Sequence, residues 1–186
     1  MRQMQPEPIE VTVVFLEMEV RPTSFPPLPG NRQIALLRTH DIPLHFYRYL
    51  TDRVGRKWSW VHTLRQSDEE LLKELHGKDR EVWVLYLEGS PAGFFDLSRA
   101  TPGVVDLGYF GLMKHAMGQG LGRWFLGSAL SVCWETQPRL VTVQTCTLDH
   151  PAALPLYQKM GFHPVGQSHE VIQPLSFDER MAIVMR

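Results

Sequence analysis

Apolar and polar residues alternate from Ile9 to Val20, the pattern of a half-buried strand, but the alternation changes phase midway. Ile9, Val11 and Val13 alternate with Glu10 and Thr12. Val14, Leu16, Met18 and Val20 then alternate with Glu17 and Glu19. A bulge accounts for such a slip. Pro22 to Gly30 holds four prolines and reads as a loop or extended cover. A short strand is expected at Arg32 to Leu37. Phe46, Tyr47, Leu50 and Val54 form one helical stripe, with Asp41 as its cap, Pro43 in its first turn and Gly55 at its end. The loop Arg56–His62 carries Trp58 and Trp60. Ser67 and Glu70 form a capping-box pattern for a second helix through Leu71, Leu72 and Leu75, ending near Gly77.

Three strands follow, at Glu81–Leu87, Ala92–Leu97 and Val104–Leu112, with turn residues between them. They predict an antiparallel meander. Leu121, Phe125, Ala129 and Val132 recur at helical spacing in a third helix that ends before Pro138. A strand at Leu140–Leu148, a fourth helix between His150 and Met160, a strand from about Val165 to Ile172 and a C-terminal tail complete the chain. The fold class is mixed α/β, a central sheet flanked by helices.

At 186 residues the chain, 1–186, is read as one domain with a substantial core. A formal net charge of −1, with acids and bases interspersed, gives no electrostatic support for a nucleic-acid or membrane-surface partner. The segment Met1-Arg-Gln-Met-Gln-Pro-Glu-Pro8 has no apolar leader core, and no apolar run is long enough to span a bilayer. Cys133 and Cys146 make neither a disulfide scaffold nor a C-x-x-C site, which suits a reducing cytoplasm. The scattered His, Asp and Cys residues have no metal-ligand spacing, so no metal is expected.

The chemistry concentrates where the meander meets the third helix. Gly118, Gly120 and Gly122 fall every second residue at a strand-to-helix junction. Glycines there let a ligand approach the backbone, and the free N–H groups of the first helical turn favour an anion such as phosphate. The Gly-Lys-Ser/Thr ending of a P-loop is absent, and the spacing is not G-x-G-x-x-G. Met117-Gly-Gln-Gly-Leu-Gly122 resembles instead the acyl-coenzyme A loop of the GNAT acetyltransferases, Q/R-x-x-G-x-G/A, with Met117 in place of Gln or Arg. A second stretch, Thr147 to Phe162, resembles the family's N-x-x-A-x-x-L-Y-x-K-x-G-F: Ala153, Leu156, Tyr157, Lys159, Gly161 and Phe162 match, and His150 stands where Asn is usual. Pro155 is unusual near a helix start and predicts a late or bent helix. The element order matches the GNAT fold along nearly the whole chain.

The resemblance implies direct transfer of an acetyl group from acetyl-coenzyme A to the primary amine of a small molecule or peptide, within a ternary complex. It implies cofactor contacts from Phe110, Gly111, Leu112, Met117, Gly118, Gln119, Gly120, Leu121, Gly122, Arg123, His150 and Tyr157. Tyr157 matches the position of the general acid for the leaving thiolate. Asp106 occupies the place of a carboxylate base, with Asp96 as the alternative. If the hairpin sets the two acids opposite one another, repulsion raises one pKa; a one-residue slip puts them on different faces. His150 and His62 are weaker base candidates. The backbone of Phe110 and Leu112 matches the strand that pairs with pantetheine and holds the oxyanion.

Trp58 and Trp60 are expected at the acceptor site, as an aromatic wall or as loop packing. Cys146 has no evident activating partner as a nucleophile. Dimers are common in the family, which implies a homodimer. Two other readings fit the altered positions Met117 and His150 or the glycine loop alone: a catalytically silent domain sensing acyl-coenzyme A, and an α/β protein binding ATP or NAD.

Overall fold

The computed structural model describes residues 5–30 and 32–185. The leader reading therefore rests partly on residues 1–4, outside the described residues. Seven strands form one sheet: β1 (Ile9–Met18), β2 (Ile34–Arg38), β3 (Arg80–Leu87), β4 (Ser90–Ser98), β5 (Val104–Leu112), β6 (Leu140–Cys146) and β7 (His163–Ile172). Their order is β2-β3-β4-β5-β6-β1-β7. Every neighbouring pair is antiparallel except β5 and β6.

Helices cover both faces. On one side α4 (Leu121–Cys133) and α5 (Ala153–Lys159) pack on the larger core, through Phe125, Leu126, Leu130 and Tyr157 against Phe95, Leu97, Leu107 and Val143. On the other side α1 (Leu44–Gly55) and α3 (Asp68–Leu75) cover Val82, Val84, Phe94 and Met113. A short α2 (His62–Arg65) lies between them. No helix among the described residues is long and apolar enough to cross a membrane.

The phase slip in β1 has a different cause from a bulge in its pairing with β6, which runs in unbroken register from Val13 to Met18. Val11 and Val13 are buried on one face, and Leu16 and Met18 on the other. The strand changes which face it buries. The irregularity lies in the pairing with β7, where Phe15 faces Gly166 and Leu16 faces Pro164.

Two helix ends also depart from expectation. Asp41 does not cap α1; it has φ +50° and Pro43 precedes the helix without a side-chain cap. Ser67 and Glu70 do form the reciprocal capping box of α3.

The tail contains a helix, α6 (Phe177–Val184), opened by a second capping box between Ser176 and Glu179. Leu175 and Ile183 pack with Val61 and Leu64. Arg65 pairs with Glu179 at 2.9 Å and donates to the carbonyls of Gln173 (2.6 Å) and Pro174 (3.3 Å). Arg180 reaches Asp52 of α1 at 2.5 Å.

Candidate active site

The site begins with a bulge. Phe95 pairs with Phe110 and Leu97 with Leu107, so Gly108 and Tyr109 of β5 stand opposite Asp96 alone. Asp96 accepts the Tyr109 backbone N–H at 2.8 Å, the Tyr47 hydroxyl at 2.7 Å and the Arg80 guanidinium at 3.0 Å. A Cβ on Gly108 would collide with its carboxylate oxygen, so glycine is required there. Beyond the bulge β5 leaves β6: their parallel pairing ends at Leu107 and Val143. The two strands form a V, open toward Gly111 and Cys146.

The hairpin does not set the two acids opposite one another. Asp106 faces Ser98, not Asp96. Asp96 has 0 % exposure. Burial holds its carboxyl above the ordinary range, outweighing the opposite pull of Arg80 and the Tyr47 hydrogen bond. Its oxygens are occupied and it has no exposed surface, and its bond to the Tyr109 N–H shapes the bulge. Asp106 is exposed, accepts the Thr142 hydroxyl at 2.5 Å, and lines an open cleft of about 310 Å³ with Glu17, Gln144, Phe15 and Val165.

The glycine loop lies at the mouth of the V on the α4 side. Met117 is extended, and Gly118 and Gly120 have φ +72° and +75°, where a side chain is strained. Gly120 is the N-cap of α4, with no side-chain cap and no acid in the first turn. The N–H groups of that turn are left for a ligand. Gln119 folds back onto the His115 carbonyl at 2.5 Å and receives Arg32. A Cβ on Gly122 would meet only Leu156, at 3.9 Å. Beside the loop, Arg123 and Lys159 line an open cleft of about 390 Å³ with Pro22 to Pro27. The proline-rich segment is seated there by Pro26, whose Cδ lies 2.6 Å from where a Cβ on Gly127 would stand. Free N–H groups, two glycines at positive φ and two cations suit the pyrophosphate of a coenzyme A.

Tyr157 lies on the same side. Its ring packs edge-on against Phe110 (6.3 Å) and Phe162 (5.8 Å). Among the described residues its hydroxyl has no hydrogen-bond partner. Burial first, and the nearby Asp149 charge second, push its pKa well up. The phenol is therefore held protonated. Pro155 is accommodated because it falls in the first turn of α5, where its missing N–H is not needed. His150 accepts the Ala152 N–H at 3.1 Å, and its ring meets Trp58 edge-on at 5.4 Å. Cys146 is half-buried, and burial followed by the charge of Asp149 raises its thiol, which disfavours a thiolate.

The opposite side of the V is closed by the loop after α1. Trp58 is buried, 8 % exposed. Trp60 stacks on Tyr109 at 4.6 Å and meets Phe94 edge-on. Its ring also lies over Gly111, where a Cβ would stand 3.1 Å from the indole. The indole N–H reaches Asp149 at 3.0 Å. Asp149 was not singled out from sequence. The visible signal was an acid beside a proline-opened helix, the setting in which Asp bonds nearby backbone; it accepts the Cys146 N–H at 2.9 Å and the Thr145 hydroxyl at 2.8 Å.

The model of the acetyltransferase (GNAT) family matches residues 44–162, and the chain belongs to that family. A search of curated proteins finds none that matches. Solved structures share the fold at low identity. A GCN5-related N-acetyltransferase from Sphaerobacter thermophilus is 15 % identical over 88 % of this chain and 52 % of its own, with TM-score 0.58. A tandem GNAT protein from the clavulanic acid biosynthesis pathway is 15 % identical over 89 % and 55 %, with TM-score 0.60. An aminoglycoside N-acetyltransferase, AAC(6')-Iy, in complex with CoA is 17 % identical over 75 % and 94 %, with TM-score 0.53. The chain spans only 52 to 64 % of the length of several such neighbours.

Proposed function

We propose that the protein is an N-acetyltransferase that moves an acetyl group from acetyl-coenzyme A to a primary amine by direct attack. The observation that carries this is the juxtaposition of the glycine loop, the V after Leu107 and Val143, and Tyr157 against Phe110. The pyrophosphate lies on the N–H groups after Gly120, and Arg123 and Lys159 supply positive charge beside it. The pantetheine pairs with the backbone of Phe110 and Leu112, whose N–H groups face the thioester oxygen.

The amine nitrogen attacks the carbonyl carbon from the Trp60 side. The tetrahedral oxyanion is held by backbone N–H, and its collapse breaks the C–S bond. Tyr157 gives its proton to the thiolate. Asp106 takes the amine proton through water, since it is exposed on the side of the sheet away from α4. The acceptor is a small molecule or peptide.

Thermal unfolding with acetyl-coenzyme A, coenzyme A, ATP and NAD tests the cofactor. A ligand at about 100 times its dissociation constant stabilises by roughly 2.7 kcal/mol. A shift with ATP or NAD alone, or with none, removes the proposal. An amine screen then separates the enzyme from a sensor: tight acetyl-coenzyme A binding without transfer to any amine favours the sensor.

A further inference from the structure

Two residues of the loop after α1 reach two consecutive residues before α5: Trp58 meets His150, and Trp60 donates to Asp149. Trp60 thus touches both limbs of the V, with its ring over Gly111 and Tyr109 of β5 and its N–H on the segment leaving β6. The side it covers is opposite Tyr157: Tyr109 and Met113 face the α1 core, while Phe110 and Leu112 face the α4 core. We propose that Asp149 holds Trp60 as a latch across the acceptor side of the V, shielding the thioester from water until a protonated amine takes the place of the indole N–H and then loses its proton before attack. The proposal rests on the acyl-transfer reading.

The chemistry of Asp149 fits that exchange. Its described partners are all neutral donors: one carboxylate oxygen takes the Trp60 indole, the other the Thr145 hydroxyl and the Cys146 N–H. A negative charge satisfied by neutral donors gains a stronger bond from an ammonium. The second oxygen anchors the carboxylate while the first changes partner. The exchange therefore needs no movement of β6. Trp60 is seated from its other end too: its backbone N–H bonds the Gly55 carbonyl at 3.1 Å, and Gly55 leaves room for its side chain. The latch turns on a fixed base.

The reaction the latch suppresses is thioester hydrolysis. Water oxygen attacks the carbonyl carbon and the C–S bond breaks; of the two water protons one ends on the coenzyme A sulfur and the other passes to solvent, leaving acetate. The test measures coenzyme A thiol released from acetyl-coenzyme A with no amine present, in the full chain and in Trp60→Phe, Asp149→Asn and the double variant. Trp60→Phe keeps an aromatic ring beside Tyr109 but removes the N–H together with the second ring over Gly111, so Asp149→Asn, which leaves the indole whole and replaces a charged acceptor by a neutral one, isolates the bond's contribution. Loss of one hydrogen bond to a charged acceptor raises the open fraction, and hydrolysis with it, about tenfold. The double variant releases no more than Trp60→Phe alone, because Asp149 acts only through Trp60. Acetyl-coenzyme A affinity, measured alongside by calorimetry, is unchanged.

Retained affinity with unaltered hydrolysis overturns the latch and leaves the acetyltransferase reading standing. Lost affinity in the variants also overturns it, by making Asp149 part of the cofactor site. Failure of the unaltered chain to bind acetyl-coenzyme A removes the acyl-transfer reading and the latch together.

Discussion

The carboxylate of Asp96 and the backbone N–H of Tyr109 meet at 2.8 Å, and this bond closes the bulge from which β5 turns away from β6. The same carboxylate is paired with Arg80, which is itself mostly buried. Removing one partner of a buried pair leaves the other charge uncompensated, at a cost of about 3–5 kcal/mol. Arg80→Ala is expected to lose that much in denaturant unfolding. A loss under about 1 kcal/mol would mean that water replaces the arginine.

Acid should destabilise the protein through its paired carboxylates. For Asp52 and Glu81 burial alone would raise the pKa, but hydrogen bonds from Arg56 and Arg180, and from Arg99 and Trp83, hold them lowered. Glu179 is lowered first by Arg65. The unfolded chain then binds more protons, so this stability is complete above the ordinary values of 3.8 and 4.5 and is lost as pH falls through the lower folded ones. Asp96 runs the other way: its raised folded value gives stability that is present below 3.8 and lost as pH rises. Glu70, lowered by the Ser67 backbone and hydroxyl bonds of its capping box, acts in the same direction, so four groups oppose one and melting temperature should fall steeply below about pH 4.5. Arg180→Ala should flatten that fall; an identical slope would remove Asp52 from the cause.

Tyr157→Phe should lower kcat by about 10² to 10⁴, the usual range for losing a positioned proton donor. The ring contacts with Phe110 and Phe162 remain, so coenzyme A affinity and melting temperature should stay near those of the unaltered protein. Transfer at the normal rate would assign the thiolate proton to water.

Gly122→Glu separates binding from folding. The position has an ordinary φ and open space around it, so the fold should tolerate a side chain. A carboxylate beside the first-turn N–H groups would repel pyrophosphate and weaken acetyl-coenzyme A by tenfold or more, a difference of about 1.4 kcal/mol. Equal affinity in calorimetry would place the cofactor elsewhere.

Much of this was legible from periodicity. The limits of β5, the α3 capping box and the helix after Gly120 stand where their patterns put them. Hairpin register was not legible, because the bulge at Asp96 moves Asp106 opposite Ser98 and depends on a buried carboxylate binding backbone. α6 was missed although Ser176 and Glu179 carry the same capping signature as Ser67 and Glu70; its stripe is weak, with Phe177 and Met181 exposed. Asp149 was missed because its partners Trp60 and Thr145 come together only through the packing of α1 and β6, which no local pattern encodes.

Arg65 of α2 fastens the segment 173–184 to the loop after α1, through Glu179 and the carbonyls of Gln173 and Pro174. Those residues lie past position 162, where the family's common pattern stops. On the acyl-transfer proposal, acceptor preference would therefore not be a portable property of residues 56–65. Transplanting that loop into another member without 173–184 would leave it unbraced, and a chimaera meant to reproduce its shape must carry both segments.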